Sequence, residues 1–229
     1  MIAPFLNIGR NSVRWRGRVK AIKLSAYIVR HDTGFSPNPF GRICTLACCK
    51  PMIRRNAEPG DSVIGTGSAR CGLSGKLIYA MRVEAVLTFE QYWKSYPSKQ
   101  PSPTTRVKAL GDNIWHRDAS GNWCCAPGAR HDERNRQRDL KGRNVLISRE
   151  FYYFGRDAIT IPDHFRRLIA PTQGHKNTND SHLISRFWEW VAANAPKPGR
   201  IGLPFDFAEP ICECNQMGEP RSEPSCNRT

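Results

Sequence analysis

Apolar positions along the chain fall into short runs of β-branched and aromatic residues that are separated by glycine and proline. Such runs, bounded by turn residues, are typical of β-strands. The predicted strands cover residues 24–30, 62–68, 76–86, 144–148 and 151–154. The long connections between them, including 94–108 and 116–143, are polar and are interpreted as loops.

A helical spacing of apolar residues is clear only near the end of the chain. Within residues 181–193 the positions that repeat every three or four residues form one apolar face: Leu183, Ile184, Phe187, Trp188 and Val191. This spacing predicts an amphipathic helix. Thr88 is also in a position to cap a short helix that begins at Phe89.

About five strands and two or three short helices predict an α+β fold. We expect a single domain, residues 24–208, built on a small, partly open β-barrel or a strongly curved sheet with short helices outside. Residues 1–23 are interpreted as a basic flexible extension, and residues 209–229 as a disordered acidic tail.

The net charge of the chain indicates which class of partner the protein binds. Its 229 residues include 35 Lys and Arg against 20 Asp and Glu, which gives a net charge of +15. Six of the basic residues lie in residues 1–23, so the excess belongs mainly to the domain. A strongly basic protein favours polyanions such as nucleic acids as its partners. The same charge excludes the class of acidic scaffold proteins.

Location follows from what the sequence lacks and from its cysteines. No apolar run approaches the ~18–20 residues of a membrane span, and no secretory signal is recognisable. The nine cysteines are odd in number and include adjacent pairs, which favours reduced thiols over a disulfide framework. The sequence therefore predicts a cytoplasmic protein with no membrane partner.

A rigid proline loop beside a basic cluster is the first candidate binding site. Arginine side chains match phosphate oxygens in a bidentate geometry, and the loop is more constrained than a surface turn needs to be. The candidate nucleotide or phosphate ligands here are Asn38, Phe40, Lys50, Arg54 and Arg55. The alternative is a solvated run of charges next to a structural turn.

A glycine-rich strand and several basic or aromatic residues extend this candidate site. Glycines with small hydroxyl residues allow a backbone to approach an anion closely, and aromatic rings beside cations suit nucleic-acid bases. The further candidates are Gly65, Thr66, Gly67, Ser68, Tyr79, Arg149, His175 and Lys176. For any single aromatic residue, a place in the core is the alternative.

Catalytic and metal chemistry receive less support from the sequence. No established catalytic motif is present, and only His31, Cys44 and Asp61 are weak catalytic candidates. The group Cys44, Cys48 and Cys49 does not complete the paired spacing of a zinc site. We therefore predict no metal and no cofactor.

Taken together, these motifs resemble the nucleotide modification associated domain family, second type, over roughly residues 25–205. The segments that carry the resemblance are Gly34-Phe35-Ser36-Pro37-Asn38-Pro39-Phe40, Lys50-Pro51-x-Ile53-Arg54-Arg55, Gly60-Asp61-x-Val63-x-Gly65-Thr66-Gly67-Ser68 and Phe89-x-x-Tyr92-Trp93. The resemblance implies a role in phage or bacterial systems that make or handle modified DNA bases. The order of elements is also similar to PUA-like and EVE-like barrels that bind modified bases.

Three functional hypotheses follow. The first is a protein that binds nucleic acid or a modified nucleotide in a DNA base-modification or phage-conflict system, with partner proteins from that system. The second is an enzyme, a transferase or hydrolase, that acts on a modified nucleotide. The third is an adaptor whose basic face docks an acidic protein.

Overall fold

The structure, a computed structural model, describes residues 22–172 and 174–207. Its β-strands in chain order are β1 Leu24–Val29, β2 Cys44–Leu46, β3 Ser62–Gly67, β4 Lys76–Arg82, β5 Ala85–Thr88, β6 Trp115–Arg117, β7 Trp123–Cys125, β8 Asn144–Ser148, β9 Phe151–Tyr153, β10 Ile159–Thr160, β11 Lys176–Thr178 and β12 Gly199–Arg200. The α-helices are α1 Pro51–Asn56, α2 Phe89–Ser95, α3 Arg106–Ala109, α4 Glu133–Leu140 and α5 Ser181–Ala193. Four 3₁₀ turns lie at Ala69–Cys71, Pro97–Lys99, Gly155–Asp157 and Asp163–Leu168.

A mixed seven-stranded sheet forms the centre of this architecture. Its order is β11-β1-β3-β4-β9-β12, with β10 paired to β4. Strand β1 is parallel to β3, whereas β3, β4 and β9 pair in antiparallel fashion. A second sheet, β2-β8-β5, is antiparallel, and β6 and β7 form a separate two-stranded hairpin.

The central strands β1, β3, β4 and β9 of the large sheet are buried on both faces, which explains their nearly continuous apolar character. Leu24 and Ala26 of β1 face a cluster that contains Phe187 and Trp188 of α5. Tyr27 and Val29 of the same strand face the opposite cluster, which includes residues of β2 and α1. The period of two in β1 therefore divides the core into two layers around the sheet.

The prediction of an α+β single domain is confirmed. The predicted strands are all present, although 76–86 divides into β4 and β5, and helix α5 covers the predicted residues. Thr88 caps α2 in a capping box with Gln91. The described strands form separate sheets and no closed barrel, so the likeness to PUA-like barrels stays a prediction.

The polar segments that we interpreted as loops contain short elements that the sequence analysis missed. Residues 116–143 include most of the β6–β7 hairpin and helix α4. Helix α4 has almost no apolar face, since its residues are Glu133-Arg-Asn-Arg-Gln-Arg-Asp-Leu140, and periodicity therefore could not reveal it. The predicted extension and tail lie outside the described residues, apart from Ile22 and Lys23.

In the part of the chain that the structure describes, no helix combines the length and apolar character needed to cross a membrane.

Arg54 ties the smaller elements to one another from the interior. Its fully buried guanidinium donates hydrogen bonds to three main-chain carbonyl oxygens: Cys49 before α1 at 2.7 Å, Asp139 in α4 at 2.6 Å and Asn144 in β8 at 2.6 Å. A Cβ atom at Gly142 would lie 2.4 Å from the Arg54 Cζ atom. Gly142 therefore leaves the space that this arginine occupies.

We expect Arg54→Met to lower the free energy of unfolding by about 3 kcal/mol, because three main-chain carbonyls inside or at the edge of the core would lose their donors. Urea unfolding followed by circular dichroism measures this change. The neighbouring and exposed Arg55 gives the matched control, Arg55→Met, which we expect to change stability by about 0.5 kcal/mol or less. Equal effects from the two substitutions would contradict the structural role of Arg54.

Candidate active site

Cys49 lies on a strained turn between strand β2 and helix α1. Its φ angle is 59° and that of Lys50 is 40°, a left-handed region that side chains other than glycine seldom occupy. Hydrogen bonds hold the turn from both sides. The Cys49 carbonyl accepts from Arg54 Nε at 2.7 Å, and the Cys49 amide donates to Asp139 Oδ1 at 3.1 Å.

The Asp139 carboxylate is fully buried and connects Cys49 to His131 and Trp115. Its Oδ2 atom accepts a hydrogen bond from Trp115 Nε1 at 3.2 Å and lies 2.6 Å from His131 Nδ1. Burial by itself raises the pKa of this carboxyl. The hydrogen bond and charge of His131, with the Cys49 and Trp115 donors, outweigh burial and hold the pKa below its usual range.

The His131 imidazole joins this carboxylate to the Cys49 thiol. Its Nε2 atom lies 4.0 Å from Cys49 Sγ, and its ring packs edge-on against Phe35 with 4.8 Å between ring centroids. Burial lowers the pKa of the imidazole, but hydrogen bonds to Asp139 and Cys49 and their negative charge raise it to about 9. A thiol, an imidazole and a carboxylate in this order form the arrangement that activates a cysteine nucleophile.

Cys49 lines a cavity with a volume of about 540 Å³, here called the Cys49 cavity. Its described lining includes no acidic side chain, and the basic residues are Arg30, His31, Lys50, Arg130, His131 and Arg138. Lys50 lies over the Tyr27 ring, with Nζ 4.5 Å from the centroid. Partial burial lowers the pKa of Lys50. The cavity therefore favours an anionic ligand next to the sulfur atom.

The same region also brings together ligand types that zinc uses. One ligand atom each of Cys48, His131 and Asp139 lies within 4.8 Å of the others. However, both Asp139 oxygens already accept hydrogen bonds, and burial raises the pKa of the Cys48 thiol well above its usual value. A metal ion would compete with these hydrogen bonds and would need an ionised Cys48 thiol, so the geometry favours the hydrogen-bonded arrangement.

The predicted phosphate-binding residues do not converge on one concavity. Among the residues proposed from the sequence, Lys50 and His31 line the Cys49 cavity. Phe40 and Arg149 line a second cavity, and Arg149 forms an ion pair with Glu84. Arg55, His175 and Lys176 belong to neither cavity, and their contact with phosphate stays a prediction.

Several other predicted ligands are inside the protein. Asn38 is buried and binds the Leu110 carbonyl and the Lys99 ammonium, at 2.7 Å in each case. The Tyr79 hydroxyl donates to Tyr27 at 2.9 Å. The glycine-rich strand packs under this ring, because a Cβ atom at Gly65 would lie 2.4 Å from Tyr79.

The rest of that strand is also enclosed. Thr66 and Gly67 are buried in β3, and the Ser68 hydroxyl accepts a hydrogen bond from the Arg70 amide at the start of a 3₁₀ turn. These positions, together with Gly65, have a packing role in the structure, and their part in ligand binding stays a prediction.

Of the weak catalytic candidates, only His31 lines the Cys49 cavity. Cys44 is fully buried, and burial raises the pKa of its thiol to about 12. Asp61 is buried and forms an ion pair with Lys23 at 3.1 Å. Burial keeps Cys44 from the solvent access and the thiolate form that a nucleophile needs, and Asp61 is enclosed in its ion pair. The catalytic roles of both residues stay predictions.

The sequence analysis missed the group formed by Cys49, His131 and Asp139. His131 is 82 positions from Cys49 and eight positions from Asp139, so no short motif joins them. The local signal was Cys49-Lys50-Pro51 after a buried strand, since proline is common at the first position of a helix. Because Cys49 lies between the end of a strand and the beginning of a helix, its thiol is on a turn.

His131 should make the stability of the protein depend on pH. Its pKa of about 9 in the folded protein exceeds the ordinary value near 6.5, so protonation favours the folded state. This contribution is complete below about pH 6.5 and is lost as the pH rises through about 9. We expect the stability difference between the wild type and His131→Asn to shrink by on the order of 1 kcal/mol across this range.

Urea unfolding at intervals from pH 6 to pH 10 measures this difference. His182, exposed on helix α5, provides the control, because the difference between the wild type and His182→Asn should stay flat. A flat difference for His131→Asn as well would show that the imidazole gains nothing from Asp139.

Comparison with known proteins agrees with the resemblance seen in the sequence. No curated protein and no solved structure matches the chain. The model of the family described as nucleotide modification associated domain 2 matches residues 21–210, which includes the Cys49 cavity. The chain belongs to the nucleotide modification associated domain 2 family.

Proposed function

We propose that the protein is a cysteine-dependent enzyme that acts on a nucleotide in a DNA-modification system. The observation that carries this proposal is the linked set of Cys49, His131 and Asp139 at a cavity with basic walls. The family description, nucleotide modification associated domain 2, supports a nucleotide as the substrate. The cationic lining supports an anionic substrate, and the thiol supports covalent chemistry.

Each member of the set has a distinct role in this proposal. A protonated His131 stabilises negative charge on Cys49 Sγ through its Nε2 atom. Asp139 orients the imidazole and stabilises its positive charge, as the carboxylate does in other triads. The hydrogen bond from the Cys49 amide to the Asp139 carboxylate keeps the sulfur atom next to the imidazole.

The proposed reaction is a two-step group transfer. The sulfur forms a bond to an electrophilic carbon of the substrate, and the leaving group departs with its electron pair and takes a proton from His131. A second nucleophile then displaces the sulfur and gives its proton to His131. Water as that nucleophile makes the protein a hydrolase, whereas an amine or hydroxyl makes it a transferase.

Nucleotide binding without chemistry is the alternative, and the same cationic lining favours it. It would use Arg30, Lys50, Arg130 and Arg138 but would not need a thiol beside an imidazole. Base recognition by analogy with PUA-like barrels, a cytoplasmic location and docking of an acidic protein stay predictions from the sequence.

Site-resolved alkylation with iodoacetamide, followed by mass spectrometry, tests the nucleophile. We expect Cys49 to react at least about tenfold faster at pH 7 than Cys71, a partly buried cysteine away from the cavity. The substitutions His131→Ala and Asp139→Asn should remove most of this difference and leave Cys71 unchanged. Equal rates for the two cysteines in the wild-type protein would contradict the proposal.

Protection by ligands separates binding from chemistry in the same assay. Thymidine monophosphate should slow alkylation of Cys49 more than thymidine does, since only the former offers a phosphate to the cationic lining. Protection in a protein whose Cys49 is no more reactive than Cys71 would favour the binding alternative. Absence of protection would show that the cavity does not take a mononucleotide.

A further inference from the structure

We infer that three adjoining cavities form one track for a single-stranded nucleic acid that leads to Cys49. This inference rests on the proposed function and specifies its substrate as a polymer rather than a free nucleotide. Besides the Cys49 cavity, the track consists of a middle cavity of about 230 Å³ and an outer cavity of about 460 Å³.

The Cys49 cavity and the middle cavity are continuous because they share lining residues. Thr33 and Arg130 belong to both. Arg130 directly precedes His131 and lines both cavities. A strand in the middle cavity would therefore pass Arg130 before it reaches the sulfur.

The middle and outer cavities meet at two aromatic rings and at consecutive residues. Phe207 of the middle cavity lies 6.1 Å from Phe40 of the outer cavity, measured between ring centroids. Arg106 lines the middle cavity and its neighbour Val107 lines the outer one.

The charged residues along the track are almost all basic. Asp206, in the middle cavity, is the one acidic side chain among the described residues that line the three cavities. Glu84 lies beside the track as the ion-pair partner of Arg149. The basic residues beyond the Cys49 cavity are Arg42, Arg106, Arg149, Lys197 and Arg200. A row of cations of this kind follows a phosphate backbone.

Two of these cations lie beside aromatic rings. The Arg106 guanidinium lies 4.6 Å from the Phe207 centroid, and the Arg200 guanidinium lies 5.6 Å from the Phe40 centroid. Phe40 is buried and Phe207 is half-buried, so Phe207 is the ring of this pair that a base would contact. Rings beside a cationic groove stack on bases, and only unpaired bases expose their faces. This combination favours a single strand over a duplex.

Fluorescence anisotropy with a labelled 20-nucleotide single-stranded DNA of mixed sequence tests the track. The variant combines Arg42→Gln with Lys197→Gln, two exposed cations of the outer cavity. We expect binding about tenfold weaker at 100 mM KCl. The slope of log affinity against log salt should fall by about 1.4, since each phosphate contact contributes about 0.7 for single strands.

The control combines Lys94→Gln with Arg186→Gln, which removes the same charge from exposed positions outside the three cavities. It should bind the strand nearly as the wild type does. Equal weakening by both double variants would overturn the track, because net charge alone would then explain binding. Duplex DNA of the same sequence bound as tightly as the single strand would also overturn it.

Alkylation of Cys49 in the Arg42→Gln/Lys197→Gln variant distinguishes the two proposals. An unchanged rate with weakened strand binding supports the track and leaves the nucleophile intact. Suppose that Cys49 in the wild type is alkylated no faster than Cys71, but strand binding still depends on Arg42 and Lys197. That result would reject the proposed enzyme and support the track. Wild-type strand binding that ignores both substitutions rejects the track whatever the thiol does.

Discussion

The buried carboxylate of Asp139 is the group on which the site depends. It receives hydrogen bonds from the Cys49 amide, from Trp115 Nε1 and from the His131 ring. A buried carboxylate without these partners would be costly. Its need for donors therefore fixes the cysteine turn, the imidazole and helix α4 relative to one another.

Polar side chains inside this protein differ in role from the cations that line its cavities. Arg54 and Asn38 donate hydrogen bonds to main-chain carbonyls inside the fold. The cations of the three cavities are instead turned outward, with Lys50 and Arg200 set over aromatic rings. These cations carry part of the net charge of +15 and are the basis of the proposed nucleic-acid binding.

Sequence patterns predicted the parts of the fold that depend on local periodicity. Strands β1 and β3 and helix α5 have apolar spacings that burial demands. Helix α4, with one apolar residue in eight, has no such spacing and depends on its Asp132 cap and on tertiary contacts. For the site, Lys50 was predicted from its charge, whereas Asp139 could not be, because only folding brings it to His131 and Cys49.

The pKa of His131 measured by NMR titration of its ring protons tests the central role of Asp139 most directly. The geometry predicts a value near 9 in the wild type and a fall toward the ordinary 6.5 in Asp139→Asn, where the negative charge is gone. An ordinary pKa in the wild type, or one that Asp139→Asn leaves unchanged, would contradict this account of the site.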